Sequence, residues 1–359
     1  MSFYLDKQIV ANSRNAKSQW DEVVRRRKAF NANEQHFGQI HGPQVNAAAR
    51  IPQDVFRDFD SQTKQLMTGD EGGVILDMLM PLARSVPIGK IVSEYRQVSD
   101  ATQAQSSISG QHRKPMDKVT YDYDGTLVLI HDASFGREWR ELEAMRSEDF
   151  DGLIDDQAAA VRAVRRQLVD NFMNGSRDAN GDPVRYKNQE SFGIKNSPNT
   201  QTLDLGTGGL ATDLTDGATT YTEIEQVFIN VLNVLQGSAN NVEQDITFAV
   251  SAEIWFNLLR RGSNDMAFRT FLEQLRTLPG VADIQKTNGA NALSGNEFIA
   301  MAASSEYIQP VVGMGVTTTP MQRLTPYADW NSLVWAGAGL QIQADNQGRS
   351  GVLYASETT

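Results

Sequence analysis

The chain contains no cysteine among its 359 residues. Disulfide bonds, thiolate nucleophiles and cysteine-ligated metal sites are therefore excluded, and the composition is typical of a protein made in a reducing cytoplasm. The sequence also lacks any run approaching the ~18 consecutive apolar residues of a membrane span. The N-terminal stretch MSFYLDKQIV has no basic region followed by an apolar run. We therefore expect neither a signal peptide nor a membrane partner.

The chain has fewer positively charged than negatively charged residues. Lys and Arg number 33 against 44 Asp and Glu, which gives a net charge of −11 and a pI of about 4.9. Because sequence-independent binding of nucleic acid rests on cations that neutralise phosphates, this balance argues against a dedicated nucleic-acid-binding protein. A chain of this length can bury a sizeable core, and we expect two or three folding units.

Groups that carry chemistry are few and scattered. No pair of the four histidines has a metal-ligand or base–nucleophile spacing: His36, His41, His112 and His131. The glycine-rich stretches at 206–209 and 313–315 lack the residues that complete a phosphate or dinucleotide loop. The acidic residues at 148–156 do not follow a calcium-loop spacing, and we attribute them to charge at a helix N-terminus. We predict no catalytic, cofactor-binding or metal site; an enzyme would need a site assembled from distant residues.

The clearest feature present is a long amphipathic helix, predicted over 153–174. Its apolar residues recur at spacings of three and four and so share one face: Ile154, Ala158, Val161, Val164, Leu168 and Phe172. Asp155 and Asp156 suit the positive end of the helix dipole, and Gly175 stands where a left-handed C-cap is expected. Nothing on the helix titrates near neutral pH. We interpret it as a scaffold whose polar face is solvated or faces another subunit through Arg162, Arg165 and Arg166.

Two segments are too polar to fold alone. Residues 1 to about 60 carry short amphipathic helices around Trp20 and Phe56, with a basic run at 25–28 that we interpret as a solvated or intersubunit patch. Strands at 91–98 and 119–130 flank a polar stretch and predict a long hairpin. Because neither segment buries enough apolar surface on its own subunit, we expect both to be ordered only by contacts between subunits. These contacts would bury more than ~2,000 Å².

The second half of the chain is predicted to form an α/β unit followed by strands. YTEIEQVFINVLNVLQ predicts a helix, DITFAV a buried strand, and Ser251 the N-cap of a further helix. Two strands are expected around a turn at Asn288-Gly289, and strands continue from Tyr307 to the end.

The order of these features resembles the major capsid proteins of tailed bacteriophages, whose Hong-Kong-ninety-seven-type fold is shared with encapsulins. The most specific part is the helix closing on LVDNFMNG and followed by Gly-Ile-x-Asn at 193–196, which is similar to the family's spine helix. The resemblance implies an α+β phage major capsid fold. Its parts would be an N-terminal arm at 1–60, an extended loop at 91–130, a peripheral domain at 61–90, 131–197 and 306–349 with its spine helix at 153–174, and an axial α/β domain at 198–305 and 350–359.

The same resemblance implies a structural role. The subunits would self-assemble into hexamers and pentamers of an icosahedral head that encloses double-stranded DNA without sequence-specific binding, located in the virion and assembled in the host cytoplasm. Because only about 60 residues precede the fold, a separate scaffolding protein is expected, with a portal and a decoration protein as further partners. An encapsulin-like compartment and an enzyme are the alternatives.

Some members of this family strengthen their shells with an isopeptide bond from a hairpin lysine. The hairpin carries Lys114 and Lys118 near its tip. Such a bond also needs an asparagine and a carboxylate placed across the subunit boundary. We therefore expect a non-covalent shell.

Overall fold

The computed structural model describes residues 17–18, 20–29, 71–100, 106, 108, 118–147, 152–178, 180–206, 212–261, 269–289 and 292–357. The chain divides into two compact units, Met1–Met67 and Thr68–Thr359. In the first unit, residues 17–18 and 20–29 are helical, as predicted around Trp20. Glu22 and Arg26 form an ion pair of 2.6 Å one turn apart on this helix. The helix expected around Phe56 lies outside the described residues.

The second unit mixes helices and strands. Its described helices are α1 (Gly73–Leu79), which runs into a 3₁₀ turn at Met80–Leu82, α2 (Trp139–Ser147), α3 (Gly152–Asn174), α4 (Tyr221–Gln236), α5 (Ala252–Leu258) and α6 (Phe271–Leu275). Its described strands are β1 (Arg84–Ser85), β2 (Val92–Val98), β3 (Tyr121–Leu127), β4 (Leu129–Arg137), β5 (Arg185–Tyr186), β6 (Gln189–Glu190), β7 (Gln201–Asp204), β8 (Ile246–Val250), β9 (Val281–Lys286), β10 (Phe298–Ala302), β11 (Ile308–Pro320), β12 (Trp330–Ile342) and β13 (Val352–Ser356).

Two larger sheets organise these elements. One has the strand order β1-β11-β12-β4, and α3 packs against β4 and β12. The other has the order β7-β13-β10-β8-β9 and mixes parallel with antiparallel pairs. The strands β2 and β3 form a separate antiparallel hairpin, and β5 pairs with β6. The fold class is therefore α+β, as the sequence predicted.

The five-stranded sheet is buried on both faces. In β10, Phe298 and Ala300 point into a core formed with α4, α5 and α6. Ile299 and Met301 point into a second core, which contains Phe172 near the end of α3. Strands covered on both faces have continuous apolar runs, which explains why β8 and β10 contain no polar alternation.

The long helix α3 agrees with its predicted range to within one residue, but its apolar face does not run its full length. Val164, Leu168 and Phe172 are buried, each at most 2% exposed. Ile154 is 63% exposed, so its prediction as a core residue was wrong. The helix is buried nearly all round at its C-terminal end, whereas its first turn extends past the core. Periodicity identifies a face but cannot show where along the helix the core stops.

The turn at Asn288-Gly289 does not close a hairpin. Both strands predicted around it exist, but they do not pair with each other, because β8 lies between β9 and β10 in the sheet. The backbone carbonyl of Asn288 instead accepts a hydrogen bond from the amide of Gly72, at 2.5 Å. The sequence also failed to predict that strand continues from Leu129 to Arg137; within it, Ile130 is 53% exposed.

Strand β4 contains a buried histidine, His131. His131 is 8% exposed and faces Ala336 across the strand pair. Its Nε2 has no hydrogen-bond partner among the described residues. Burial lowers the pKa of His131 below its ordinary value of 6.5, and the nearby carboxylates of Asp132 and Asp170 offset this only in part.

We expect acid to destabilise the subunit through this side chain. Because the folded-state pKa is lower than the unfolded one, the unfolded chain binds the proton more tightly. The stability that neutral His131 gives is therefore present above pH ~6.5 and is lost as the pH falls below it. Chemical denaturation between pH 7.5 and 5.5 should show a falling midpoint, with a smaller fall for His131→Gln. If the midpoint falls equally with pH in the unmodified protein and in His131→Gln, then His131 is not the group that causes the loss of stability.

Candidate functional site

Reactive and metal-binding side chains do not cluster in the part of the chain that the structure describes. No group of three or more His, Asp or Glu side chains there is placed to hold a metal ion. His36, His41, His112 and Lys114 lie outside the described residues, whereas Lys118 is exposed just before the start of β3, on the tip side of the hairpin. The glycines at 313–315 are part of strand β11 rather than a phosphate loop. No helix in the described ranges is both long enough and apolar enough to span a membrane.

The C-terminal end of α3 is closed by the loop that follows it. The last four carbonyls of a helix have no partner within it, and here each receives one from outside the helix. The amide of Gly175 donates to Asn171, that of Ile194 to Phe172 and that of Lys195 to Met173, at 2.9–3.0 Å; the Asn196 side chain donates to the carbonyl of Asn174 at 2.6 Å. The Gly-Ile-x-Asn turn is therefore the cap of the spine helix.

Two glycines make this cap sterically possible. Gly175 has a φ of +70°, in the left-handed region that favours glycine. Gly193 approaches the helix end so closely that a Cβ there would lie 2.4 Å from the carbonyl carbon of Met173. The amide of Gly193 also donates to the side chain of Asn196 at 2.7 Å. The cap thus fixes the direction in which the chain leaves α3.

At the N-terminal end of α3, Asp156 lies near the positive end of the helix dipole and also forms an ion pair. Its carboxylate binds the guanidinium of Arg137, at the end of β4, through two contacts of 2.5 and 3.0 Å. Arg137 also contacts Glu141 of α2 at 2.8 Å. The start of the spine helix is therefore tied to the four-stranded sheet and to α2.

The hairpin β2–β3 has exposed residues on both of its strands. Its strands pair in register from Val92 opposite Leu127 to Val98 opposite Tyr121. Residues two apart share a face of the ribbon. One face, with Tyr95 and Asp124, contacts the body of the subunit, whereas Tyr121 and Tyr123 on the other face are exposed.

A small polar cluster holds the hairpin on the body. The Tyr95 hydroxyl donates to Asp124 at 3.1 Å and accepts from the backbone amide of Ala344 at 3.0 Å. The Asn199 amide donates one hydrogen to Asp124, at 2.7 Å, and one to the carbonyl of Ile342, at 3.0 Å. We call Tyr95, Asp124, Asn199 and the backbone at 342–344 the hairpin anchor. It sets the angle at which the hairpin leaves the subunit.

The anchor corrects one expectation from the sequence. Both hairpin strands were expected to be ordered only by other subunits, but their base is held by hydrogen bonds within the chain. Burial raises the pKa of Tyr95 above its ordinary value, so its hydroxyl keeps the proton that it donates to Asp124. Most of the tip, at 101–117, lies outside the described residues.

The outward face of the hairpin carries large side chains that contact no core. Tyr121 and Tyr123 are each 57% exposed, and Val98 beside them is exposed as well. The guanidinium of Arg96 lies 5.5 Å from the Tyr121 ring and 5.9 Å from the Tyr123 ring. We call Arg96, Val98, Tyr121 and Tyr123 the outward face. Aromatic and Arg side chains are the types enriched at protein interfaces.

A second exposed apolar patch lies at the turn between β11 and β12. Leu324 is 87% and Tyr327 72% exposed. The ring of Trp330 lies 4.1 Å from the guanidinium of Arg323, and Tyr327 packs on Trp139 of α2 at 5.5 Å between ring centroids. Neither this patch nor the anchor was predicted from the sequence. Apolar residues inside a proline-containing turn were the only local signal for the patch, and the anchor residues are too far apart in sequence to give one.

The anchor predicts a selective loosening of the hairpin. Asn199→Ala removes two hydrogen bonds and leaves Asp124 less well paired. The free energy that holds the hairpin on the subunit should therefore fall by about 1–3 kcal/mol. Hydrogen exchange of the β2 and β3 amides should accelerate while that of β8 and β10 stays unchanged. Gln226→Ala, which removes an exposed contact on α4, is the control. Unchanged exchange in the hairpin of Asn199→Ala would show that the anchor does not hold it.

Comparison with known proteins gives a family and a fold. Residues 46–355 match a family described as a family of unknown function (DUF6260). No curated protein matches the sequence significantly. The match to the family spans most of the chain, so it includes the spine helix, the hairpin and both larger sheets.

Solved structures that are similar to this chain come from virus-like shells. The capsid of Myoviridae phage XM1 superposes with a TM-score of 0.67 at 12% identity, over 87% of this chain and 100% of the phage chain. The capsid of an empty GTA particle gives 0.52 at 9% identity, over 88% and 100%. A virus-like particle from Pyrococcus furiosus gives 0.50 at 14% identity, over 79% and 92%. The fold is thus the Hong-Kong-ninety-seven-type fold of phage major capsid proteins.

Proposed function

The chain belongs to the family of unknown function DUF6260, and we propose that it is the major capsid protein of a tailed bacteriophage. Its subunits assemble into the hexamers and pentamers of an icosahedral head that encloses double-stranded DNA. The role is structural and involves no catalysis.

One observation carries the proposal. The XM1 capsid chain is matched over 100% of its length, with a TM-score of 0.67. An enzyme that had adopted this fold would be expected to add a site to it. The described residues instead present an anchored hairpin with an aromatic outward face and an apolar turn. Both features suit burial between subunits.

The proposed parts follow from the order of the elements. Residues 1–60 form the N-terminal arm and 91–130 the extended loop. The peripheral domain comprises 61–90, 131–197 and 306–349 with the spine helix, and the axial domain comprises 198–305 and 350–359. The spine helix stiffens the subunit, because its two ends are fixed by Arg137 and by the cap at 193–196.

The acidic charge of the chain suits a container for DNA. A net charge of −11 limits attraction between the shell and phosphates, so packaged DNA is enclosed without sequence-specific binding. Assembly takes place in the host cytoplasm, and the mature protein is part of the virion. A separate scaffolding protein, a portal and a decoration protein are the proposed partners.

An encapsulin-like compartment is the second candidate. The likeness to the Pyrococcus furiosus particle favours it. Such a shell would be smaller and would hold protein rather than DNA. We propose it second because this likeness has a lower TM-score and lower coverage than that to the XM1 capsid.

Electron microscopy of the full chain tests the function. The protein, expressed alone and purified, should form shells or sheets that contain hexameric and pentameric rings. A monodisperse monomer at high concentration, measured by light scattering, would contradict the proposal. Particles from infected cells should contain DNA; uniform small particles that contain a co-purifying enzyme would instead establish the compartment.

We further predict that the shell is not covalently joined. Lys118 is exposed near the tip of the hairpin, and an isopeptide bond would also need an asparagine and a carboxylate placed across the subunit boundary. Particles boiled in denaturant should give a single band near 39.7 kDa. A ladder of multimers that disappears in Lys114→Ala or Lys118→Ala would show that cross-links form.

A further inference from the structure

The turn at Asn288-Gly289 is one of three Asn-Gly pairs in the chain; the other two are Asn174-Gly175 and Asn180-Gly181. An asparagine that precedes a glycine can lose its side-chain amide without an enzyme. Glycine has no Cβ, so its backbone nitrogen can approach and attack the side chain of the asparagine before it. The three pairs share this chemistry, and differences between them come from the fold.

Hydrogen bonds protect the pair at the end of α3. The amide of Gly175 donates to the carbonyl of Asn171 at 3.0 Å, so its proton is held. The Asn174 side chain donates to the carboxylate of Asp170 at 2.7 Å and cannot turn toward the glycine nitrogen without losing this bond. Both the nucleophile and the group that it would attack are therefore restrained.

The pair at 180–181 is restrained by a single residue, Asp178. The amide of Gly181 donates to the carbonyl of Asp178 at 3.0 Å, and the amide of Asn180 donates to its carboxylate at 2.9 Å. The Asn180 side chain reaches the same carboxylate at 3.5 Å. Asn180 and Asn288 are both exposed, so exposure alone does not distinguish them.

The pair at 288–289 lacks both restraints. In the described part of the chain, neither the Asn288 side chain nor the amide of Gly289 forms a hydrogen bond. The carbonyl between them accepts a bond from the amide of Gly72, at 2.5 Å. When a backbone amide loses its proton, much of the negative charge lies on its oxygen, so a donor to that oxygen stabilises the anion. The Gly72 amide therefore favours the form of the Gly289 nitrogen that attacks.

The fold also requires the glycine of this pair. Gly289 has a φ of +127°, which other residues rarely adopt. A Cβ at this position would lie 2.9 Å from the Cβ of Glu71. Because no larger residue fits here without strain, the reactive pair is built into the turn.

We propose that Asn288 is a site of spontaneous deamidation, with the backbone nitrogen of Gly289 as the nucleophile and water as the co-reactant. The Gly289 nitrogen bonds to Cγ of Asn288, the Cγ–Nδ2 bond breaks, and ammonia leaves with the proton of the backbone amide. Water then opens the resulting five-membered imide. Opening at Cγ gives aspartate, whereas opening at the main-chain carbonyl gives isoaspartate, which lengthens the backbone by one methylene.

Isoaspartate would disturb the start of α1. Gly72 is the N-cap of this helix, and Gly289 packs directly on Glu71, whose carboxylate lies 3.2 Å from the guanidinium of Arg166. A longer backbone has no space against residue 71, so the turn must retract and release the amide of Gly72. The reaction needs only the folded subunit and goes beyond the proposed function.

Peptide mapping by mass spectrometry tests the site. The purified protein is incubated at about pH 8.5 and sampled over days, because the amide anion becomes more populated as the pH rises. Asn288 should convert to aspartate and isoaspartate at least about tenfold faster than Asn174 and Asn180. In denaturant the three pairs should convert at similar rates. If folding slows conversion at Asn288 as much as at the other two, the proposal is overturned.

Asn288→Gln is the matched variant. It keeps the carboxamide at an exposed position but would have to close a larger ring, so it should remain unmodified. After incubation, hydrogen exchange at Gly72 should be faster in the unmodified chain than before incubation and unchanged in Asn288→Gln. Equal exchange in the two incubated proteins would overturn the release of Gly72.

Discussion

Val164→Asp should abolish folding of the subunit, and Leu168→Asp should do the same. Both side chains are at most 2% exposed, in the core that joins α3 to the two larger sheets. A carboxylate placed there has no cation to pair with and cannot be hydrated. The expected cost is ~4 kcal/mol or more, which is comparable with the ~5–15 kcal/mol total stability of a typical domain. Expression should yield insoluble protein, and any soluble fraction should lack a cooperative thermal transition.

The matched control lies on the same helix. Ile154→Asp makes the same kind of change at a position that the sequence pattern assigns to the apolar face but the structure exposes. It should leave the free energy of unfolding within about 0.5 kcal/mol of that of the unmodified protein. Arg162→Ala should likewise leave the subunit folded. Equal damage from Ile154→Asp and Val164→Asp would mean that the core extends to the start of α3.

The second large effect is expected at the cap of the spine helix. Gly193→Ala places a methyl group 2.4 Å from the carbonyl carbon of Met173 and 2.4 Å from the amide nitrogen of Gly175. Both contacts are with backbone, so no side chain can rotate away. The loop must retract and give up its hydrogen bonds to the helix end. We expect a loss of roughly 3 kcal/mol or more in the free energy of unfolding, from denaturant titration.

Gly217→Ala is the control for this prediction. A Cβ at Gly217 would meet nothing within 4 Å, and its φ is not in the left-handed region. The substitution should be neutral or slightly stabilising, since alanine restricts the unfolded chain more than glycine does. If the Gly193 and Gly217 variants unfold at the same denaturant concentration, the cap does not stabilise the spine helix.

Local patterns in the sequence were enough to find the spine helix and the glycine that ends it. The apolar spacing at Val164 and Leu168 specifies a helix, and Gly175 marks its end because few other residues adopt a positive φ. The glycine and asparagine at 193–196 were noticed only through a resemblance. Their role emerged when the fold placed them against the end of α3, since the bonds from this turn to the helix end span about twenty residues of sequence.

What the sequence determined by itself is what depends on neighbours along the chain: the absence of thiol chemistry, the helix periods, the buried strands β8 and β10, and the polar hairpin. The tertiary structure alone decided which surfaces meet. It separated β9 from β10 by β8, exposed Ile154 and brought Asn199 to Asp124 across 75 positions. Strand order and burial are set by contacts between residues distant in sequence, and a local pattern carries no information about which distant partner will occupy each face.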